Sequence, residues 1–343
     1  MSATMRDVAR RADVSVKTVS NVVNDFPHVR PATRERVLAA IAELGYQMNF
    51  TARNLSLGRT GMITLAIPKL RLPYFAELAD EVMGAAEARG YTVLIEQTGG
   101  VRQREIDLLA SERRRMTDGL VLSPIGLRAG DGPRLETGYP VVLLGERSLD
   151  ARVDHVVMAN VAGARAVAEH LLAAGRRRIG LVGSYEAGSE GAGYLRTRGF
   201  LEALTAAGLE HDPALTAPAE DWTLEAGAAA TRRLLDSGVQ VDALFGLNDV
   251  LALGAMRVLF ERGLRVPDDV AVAGFDDIEE ARFSRPSLTT VRPDRAQIAR
   301  HAVSLLAERI AVGSGDGVPP VGGPAFVADY ALVVRESSAP AGR

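Results

Sequence analysis

The stretch that decides the fold is TMRDVARRADVSVKTVSNVVND, residues 4–25. It predicts two short helices, Met5–Ala12 and Val16–Asn24, separated by a three-residue break. Thr4 can cap the first helix and Ser15 the second, because a hydroxyl ahead of a helix accepts the free N–H groups of its first turn. Two short helices joined by a turn of this length form a helix-turn-helix.

A third helix follows in RPATRERVLAAIAELGY, residues 30–46. Pro31 suits its first turn, where a backbone N–H is not needed, and Gly45 suits its end. The sequence therefore predicts a small all-α headpiece. The apolar residues of the third helix that would share one face are Val37, Ile41 and Leu44.

The outward face of the second helix carries side chains that can read DNA. In a major groove, Lys17 can donate to guanine, Asn21 can bond adenine in a bidentate way, and Val16 can contact a thymine methyl group. The alternative interpretation is a solvated face of a three-helix bundle. The residues on or beside this face are Val16, Lys17, Thr18, Ser20, Asn21 and Asn24, of which Thr18 and Asn24 would lie nearer the phosphates.

Charge is distributed unevenly along the chain. The 343 residues carry a net charge of −3, whereas residues 1–60 contain nine Lys or Arg and five acidic residues. That balance of +4 leaves −7 for the remainder. A basic end on an acidic body is typical of a protein that meets phosphates at one end.

From Gly61 onward, short apolar runs alternate with amphipathic helical stretches, a pattern typical of parallel sheets covered by helices on both faces. There are too many runs for one compact sheet, so two lobes are predicted. The predicted strands are Met62–Pro68, Thr92–Gln97, Gly119–Ser123, Val141–Gly145, His155–Met158, Ile179–Gly183, Ala243–Leu247 and Val270–Phe275. The predicted helices are Tyr74–Arg89, Ala162–Ala174, Leu195–Ala207, Leu224–Ser237, Val250–Arg262 and Arg295–Val312.

Polar and aromatic residues gather where these strands end, which is where such folds bind their ligands. Aromatic faces can stack on a ring, and carboxylate or amide groups can bond hydroxyls, so a polar, ring-shaped ligand is predicted. Asp249 and Asp277 are more typical of helix caps. The candidate ligand-binding residues are Tyr74, Phe75, Ser123, Arg196, Trp222, Asn248 and Asp276.

Three segments resemble the LacI/GalR family of repressors: MRDVARRADVSVKTVSNVVND (5–25), RPATRERVLAAIAELGY (30–46) and ARNLSLGRT (52–60). The resemblance implies a hinge that folds on operator DNA, with Leu55 as a minor-groove wedge. Such a wedge unstacks one base step and kinks the duplex. The implied DNA-binding residues are Thr4, Ser15, Val16, Lys17, Thr18, Ser20, Asn21, Asn24, His28, Thr33, Tyr46, Ala52, Arg53 and Leu55.

Three headpiece positions depart from the family's usual pattern. Asp13 replaces the common turn glycine, and it can adopt a left-handed conformation at some cost. Asn21 replaces the most common Arg, so the preferred base, and with it the operator, is expected to differ. Arg30 replaces a frequent Ser cap, which weakens the start of the third helix.

The resemblance covers almost the whole chain and implies a periplasmic-binding-protein-like core. Its chain would cross between lobes near Asn160–Gly163, Val291–Pro293 and Gly322–Ala325. Leu72 and Ala159 stand where the family usually has polar groups, so the ligand is expected to be less hydroxylated than a plain hexose, or bound differently. The implied domains are a helix-turn-helix at 1–48, a hinge at 49–60, a first lobe at 61–161 with 292–323, a second lobe at 162–291 with 324–339, and a tail at 340–343.

These features favour a homodimeric repressor of double-stranded operator DNA, switched by a small molecule. A carbohydrate effector is expected, with a nucleobase-type co-repressor as the alternative, and no metal or other cofactor. An enzyme is disfavoured, because there is no Cys, phosphate loop, zinc spacing or nucleophile elbow, and of five His only His155 lies near the expected cleft. No secretory leader or membrane-length apolar run is found, so a cytoplasmic location without a membrane partner is expected, against the alternative of an exported solute-binding protein.

Overall fold

The computed structural model divides into two compact units, Met1–Thr60 and Gly61–Arg343. We call them the headpiece and the core. The structure describes residues 3–23, 26–46, 59–111, 116–136, 138–146, 149, 151–183, 191–312 and 325–339.

The headpiece contains three helices, α1 (Met5–Ala12), α2 (Val16–Val23) and α3 (Pro31–Leu44). The predicted helix-turn-helix and third helix are therefore confirmed, and Asn24, the predicted end of the second helix, lies outside the described residues. The three helices meet around a small apolar cluster. Its buried members are Val8, Ala9, Ala12, Val19, Val22, Val37 and Ala40.

The ends of these helices follow from their sequence. Thr4 and Asp7 form a reciprocal capping box, in which the Asp7 carboxylate accepts the Thr4 N–H at 3.0 Å and the Thr4 hydroxyl accepts the Asp7 N–H at 3.4 Å. Asp13 ends α1 in the left-handed conformation, at φ 52°. Arg30 gives α3 no side-chain cap, as predicted.

The core alternates strands and helices. Its strands are β1 (Met62–Ile67), β2 (Thr92–Gln97), β3 (Gly119–Leu122), β4 (Val141–Leu144), β5 (Asp154–Met158), β6 (Ile179–Val182), β7 (Thr216–Ala217), β8 (Ala243–Gly246), β9 (Ala271–Phe275), β10 (Thr289–Pro293), β11 (Phe326–Ala328) and β12 (Tyr330–Val333). Its helices are α4 (Pro73–Glu87), α5 (Arg102–Ala110), α6 (Asn160–Ala173), α7 (Ala192–Ala206), α8 (Leu224–Asp236), α9 (Asp249–Glu261), α10 (Glu279–Phe283) and α11 (Arg295–Val312).

The strands form two six-stranded sheets, one in each lobe. The first has the order β11-β5-β4-β3-β1-β2 and the second the order β12-β10-β9-β8-β6-β7. All neighbours pair in parallel except β10 and β12, which are antiparallel. The predicted two-lobed α/β core with parallel sheets is confirmed. Because parallel strands end at a common edge, each lobe gathers its strand-end loops on one side.

The chain passes between the sheets three times, and the prediction for the third crossing is wrong. Phe326–Ala328 pairs in parallel with β5 of the first lobe, and the chain reaches the second sheet only at Tyr330. The crossing therefore lies at Asp329 rather than at Gly322–Ala325, so residues 326–328 belong to the first lobe. A three-residue edge strand carries too short a periodic pattern to be placed from sequence.

Close helix packing stabilises the second lobe. A Cβ atom at Gly199 of α7 would lie 2.1 Å from the carbonyl oxygen of Val161 on α6. Glycine is therefore required at this contact, since the two backbones approach without room for a side chain. In the described part of the chain, no helix is both long and apolar enough to cross a membrane.

Candidate functional site

The headpiece presents one polar face on α2. Val19 and Val22 of this helix are buried, whereas Val16 is 42% exposed and Lys17 is also exposed. Ser20 and Asn21 are half-buried and share the side of Val16 and Lys17, because residues three and four apart lie on one helix face. The structure thus places four of the predicted base-reading side chains on one surface.

Of the remaining residues predicted to contact DNA, some are described by the structure and others lie outside the described residues. Ser15 and Thr18 are joined at the start of α2, where the Ser15 hydroxyl accepts the Thr18 N–H at 3.0 Å. Thr4 is held in its capping box, and Tyr46 packs partly against the apolar cluster of the headpiece. His28 is exposed and Thr33 half-buried. Four predicted positions lie outside the described residues: Asn24, Ala52, Arg53 and Leu55.

The core contains a cavity of ≈ 340 Å³ between the strand-end loops of its two lobes. This size lies within the range of small-molecule sites. First-lobe loops after β1, β3 and β4 line it, and so do second-lobe loops after β8 and β9 and the start of α7. The structure brings all seven predicted ligand-binding residues to its wall: Tyr74, Phe75, Ser123, Arg196, Trp222, Asn248 and Asp276.

Arg196 is the most deeply buried charge of the cavity wall, with 1% of its surface exposed. Its Nε donates to Asn160 Oδ1 at 2.7 Å and its Nη1 to the Leu247 carbonyl oxygen at 2.6 Å. Its Nη2 donates to Asp276 Oδ1 at 3.1 Å. A buried guanidinium requires such partners, because desolvation penalises an unpaired charge.

Two aromatic rings flank the same guanidinium. The Arg196 Cζ atom lies 3.7 Å from the ring centroid of Phe275 and 5.3 Å from that of Trp222. Both distances allow a cation–π attraction. Trp222 lines the cavity, so one wall combines a fixed charge with an aromatic face.

Asp276 occupies a strained position at the end of β9, with φ 118°. Arg295 of α11 donates to the backbone carbonyl oxygens of Asp276 and Asp277, which fixes this turn against the first lobe. Burial raises the pKa of Asp276 to about 6, against the opposing attraction of Arg196 and Arg295. Its carboxylate can therefore accept hydrogen bonds from hydroxyl groups near neutral pH.

The aromatic pair of the first lobe lies at the start of α4. Tyr74 and Phe75 meet edge to face, with centroids 5.2 Å apart. Burial raises the pKa of Tyr74, and nearby Asp276 and Glu146 raise it further. Phe75 both packs against the first-lobe core and lines the cavity, so it serves as core and as wall.

Glu146 is the main site residue that the sequence interpretation missed. It lies two residues after β4, lines the cavity, and accepts hydrogen bonds from the Met158 N–H at 3.3 Å and from the Asn160 side chain. Burial raises its pKa, although Arg196 acts in the opposite direction. The rule that ligands meet strand ends would have found it, because β4 ends next to it.

A second missed feature is an ion pair that joins the lobes across the cavity wall. Lys69 Nζ, after β1, lies 2.7 Å from Asp221 Oδ2, which precedes α8. Leu72, where the family's polar residue is usual, also lines the cavity.

The prediction that Asp249 and Asp277 are helix caps is wrong. The cap position of α10 is Ile278, which gives no side-chain cap, whereas α9 is capped by Asn248, which accepts the Leu251 N–H at 3.0 Å and also lines the cavity. Asp249 and Asp277 do not line it, since Asp249 bonds Thr290 and Asp277 pairs with Arg335 at 2.6 Å. His155 is also absent from the wall, and burial lowers its pKa.

Two family models match the chain. The model described as bacterial regulatory proteins of the lacI family matches residues 4–49, and the periplasmic binding protein-like domain matches residues 168–338. Residues 50–167 and 339–343 lie outside both matches.

Individual proteins match over nearly the full length. The HTH-type transcriptional regulator CelR of Thermobifida fusca is 37% identical over 97% of this chain and 98% of its own. The structure of a CelR–cellobiose complex matches at 34% identity with a TM-score of 0.70, covering 98% of this chain and 99% of that one. The Lac repressor dimer bound to operator and the anti-inducer ONPF matches at 28% identity with a TM-score of 0.82, over 98% and 99% of the two chains. These relatives are regulators of transcription rather than enzymes.

Proposed function

This chain belongs to the LacI family of transcriptional regulators, and we propose from that premise that it is a cytoplasmic repressor whose operator affinity is set by a carbohydrate in the core cavity. The observation that carries the proposal is the convergence of seven strand-end residues from two lobes on one cavity around buried Arg196. The alternative, an exported solute-binding protein, would have no use for a DNA-binding headpiece.

The headpiece reads DNA through α2. Val16, Lys17, Ser20 and Asn21 offer an apolar contact, a cation, a hydroxyl and an amide to base edges in a major groove. The chain acts as a homodimer in which each subunit reads one half-site, so the operator is pseudo-palindromic. The dimeric state of the Lac repressor on its operator supports this arrangement.

The effector is a carbohydrate held between the lobes. Arg196, Asn248 and Asp276 supply donors and acceptors for ring hydroxyls, and Trp222 supplies an aromatic face. The cellobiose of the CelR complex supports a sugar in the equivalent cavity. A nucleobase remains the second candidate, because it would use the same aromatic and amide groups.

Effector binding and DNA binding are coupled through the relative position of the lobes. Contacts already join them: Lys69 pairs with Asp221, and Glu77 of α4 accepts the Glu279 N–H of α10 at 2.8 Å. A ligand that prefers one lobe arrangement changes operator affinity, and DNA changes effector affinity by the same factor.

The experiment is a thermal-shift screen of sugars, nucleosides and polyols, followed by anisotropy titration on an operator selected from randomised DNA. A true effector raises Tm by mass action and shifts operator affinity. Arg196→Ala should abolish both responses while DNA binding without effector persists. The matched control is Arg198→Ala on the same helix, since Arg198 is exposed and pairs with Glu202. A fully responsive Arg196→Ala protein would contradict the assignment.

A further inference from the structure

The charges around the cavity are unbalanced. Its described lining carries two cationic side chains and four carboxylates, so the ionised wall has an excess of two negative charges. The cations are Lys69 and Arg196, and the carboxylates are Glu146, Glu220, Asp221 and Asp276.

Both cations are already committed to protein partners. Each of the three Arg196 nitrogens donates a hydrogen bond within 3.1 Å, to Asn160, Leu247 and Asp276. Lys69 lies 2.7 Å from the Asp221 carboxylate. The charge of each cation is thus already offset by a carboxylate, so neither gives an anionic ligand an unbalanced positive charge to bind.

Two carboxylates of the described wall, Glu220 and Glu146, are in neither of these ion pairs; Glu220 is exposed, whereas Glu146 is half-buried. Screening by solvent is therefore weaker at Glu146. Its hydrogen bonds come from the neutral Met158 N–H and the Asn160 side chain. It shares the field of Arg196 with Asp276, which holds the direct ion pair. Glu146, Arg196 and Asp276 thus leave one net negative charge at the base of the cavity.

We propose that this charge arrangement makes the cavity select uncharged carbohydrates and exclude sugar acids and sugar phosphates, with Glu146 as the residue that sets the discrimination. The inference rests on the proposed function and specifies its effector class. Like charges brought together in a desolvated site are strongly unfavourable, and specificity commonly comes from such repulsion.

Three helix starts in the wall act in the opposite direction. The cavity is lined by the starts of α4 at Tyr74, of α7 at Gly193 and of α9 at Asn248, and a helix N-terminus carries roughly half a positive charge. Together they offset about one and a half charges, which is still smaller than the excess of two negative charges, so repulsion of anions prevails.

The test compares matched sugars that differ in charge. Glucose, galactose and cellobiose are titrated by calorimetry beside derivatives charged at C6 with the rings intact, namely the 6-amino-6-deoxy sugars and the C6 acids glucuronate, galacturonate and cellobiouronate. Whichever parent sugar binds, its acid should bind at least about tenfold more weakly, as expected for one like-charge contact. The amine should be tolerated, because it adds similar bulk with the opposite charge.

Glu146→Gln provides the matched variant, since glutamine keeps an acceptor for the Met158 N–H and removes the charge. In this variant the affinity gap, that is the ratio of the acid's Kd to the parent sugar's Kd, should narrow several-fold. Glu210→Gln makes the same chemical change at an exposed position outside the cavity wall and should leave the gap unchanged.

The outcomes separate the two proposals. An acid that binds as tightly as its parent overturns the charge inference and leaves the carbohydrate effector standing. Exclusion of amine and acid alike, unchanged in Glu146→Gln, shows a steric cause and also overturns it. If no sugar of any charge binds while a nucleoside does, the carbohydrate proposal fails and the inference fails with it.

Discussion

At the scale of single residues, the second lobe contains buried carboxylates whose charge is expensive to maintain. Asp249 is fully buried, with its Oδ1 2.5 Å from the Thr290 hydroxyl and its Oδ2 3.0 Å from the Ile278 nitrogen. Burial, together with the charges of Asp276 and Asp277, raises its pKa to about 8 against the lowering effect of its hydrogen bonds. Near neutral pH this group is therefore largely protonated in the folded protein.

The raised pKa predicts a pH dependence of stability. An unfolded aspartate titrates near pH 4, so between about pH 4 and 8 the folded chain holds a proton that the unfolded chain has released. The contribution of Asp249 to the stability of the folded protein therefore falls as pH rises from about 4 to 8. In Asp249→Asn no proton can be lost, and Tm should decline less steeply from pH 5 to pH 8 than in the unchanged protein.

Asparagine suits this position, because its carbonyl can accept the Ile278 N–H while its amide donates to the Thr290 hydroxyl. Asp107→Asn, at an exposed position on α5, is the control and should give a Tm profile parallel to that of the unchanged protein. Parallel profiles for both variants would show that Asp249 is ionised throughout and contradict the prediction.

At the scale of elements, the contact between α6 and α7 depends on the absence of one side chain. Gly199→Ala would place a methyl group 2.1 Å from the Val161 carbonyl oxygen, a backbone atom that cannot move aside cheaply. We expect a loss of about 1–3 kcal/mol in the free energy of unfolding, as for overpacked cores. Urea denaturation measures it.

Thr205→Ala on the same helix is the matched control, because Thr205 is exposed and alanine favours a helix. Its free energy of unfolding should be equal or slightly higher. If Gly199→Ala were as stable as this control, the helices would be further apart than the structure has them.

At the scale of the whole molecule, the hinge prediction connects DNA binding to the effector cavity. Leu55 lies outside the described residues, so its role as a wedge stays a prediction from the sequence resemblance. Leu55→Ala should lower operator affinity at least about tenfold, since the unstacked base step would lose its apolar partner. Effector affinity without DNA should remain almost unchanged, because the described cavity wall begins thirteen residues later, at Pro68.

Anisotropy titration on operator DNA and calorimetry with effector measure the two affinities separately. Leu57→Ala, two residues away in the same segment, is the control for a general loss of apolar character. Equal operator affinity for the Leu55 variant and the unchanged protein would refute the wedge.

The sequence by itself determined the headpiece and most of the core. The Thr4 and Ser15 caps, the left-handed Asp13 and eight core strands were predictable because caps and long apolar periods are local features. The candidate ligand residues were predictable for a related reason: parallel strands end at one edge, so strand-end residues meet wherever the lobes face each other.

Only the tertiary structure decided which charges face one another. The short strands at the sheet edges, the crossing at Asp329 and the pairing of Lys69 with Asp221 depend on residues far apart in the chain. The role of Glu146 also depends on the tertiary structure, because its neighbours come from β5, α6 and α7. Local patterns fix where an element begins and ends, whereas the balance of charge in a cavity depends on long-range contacts that no local pattern encodes.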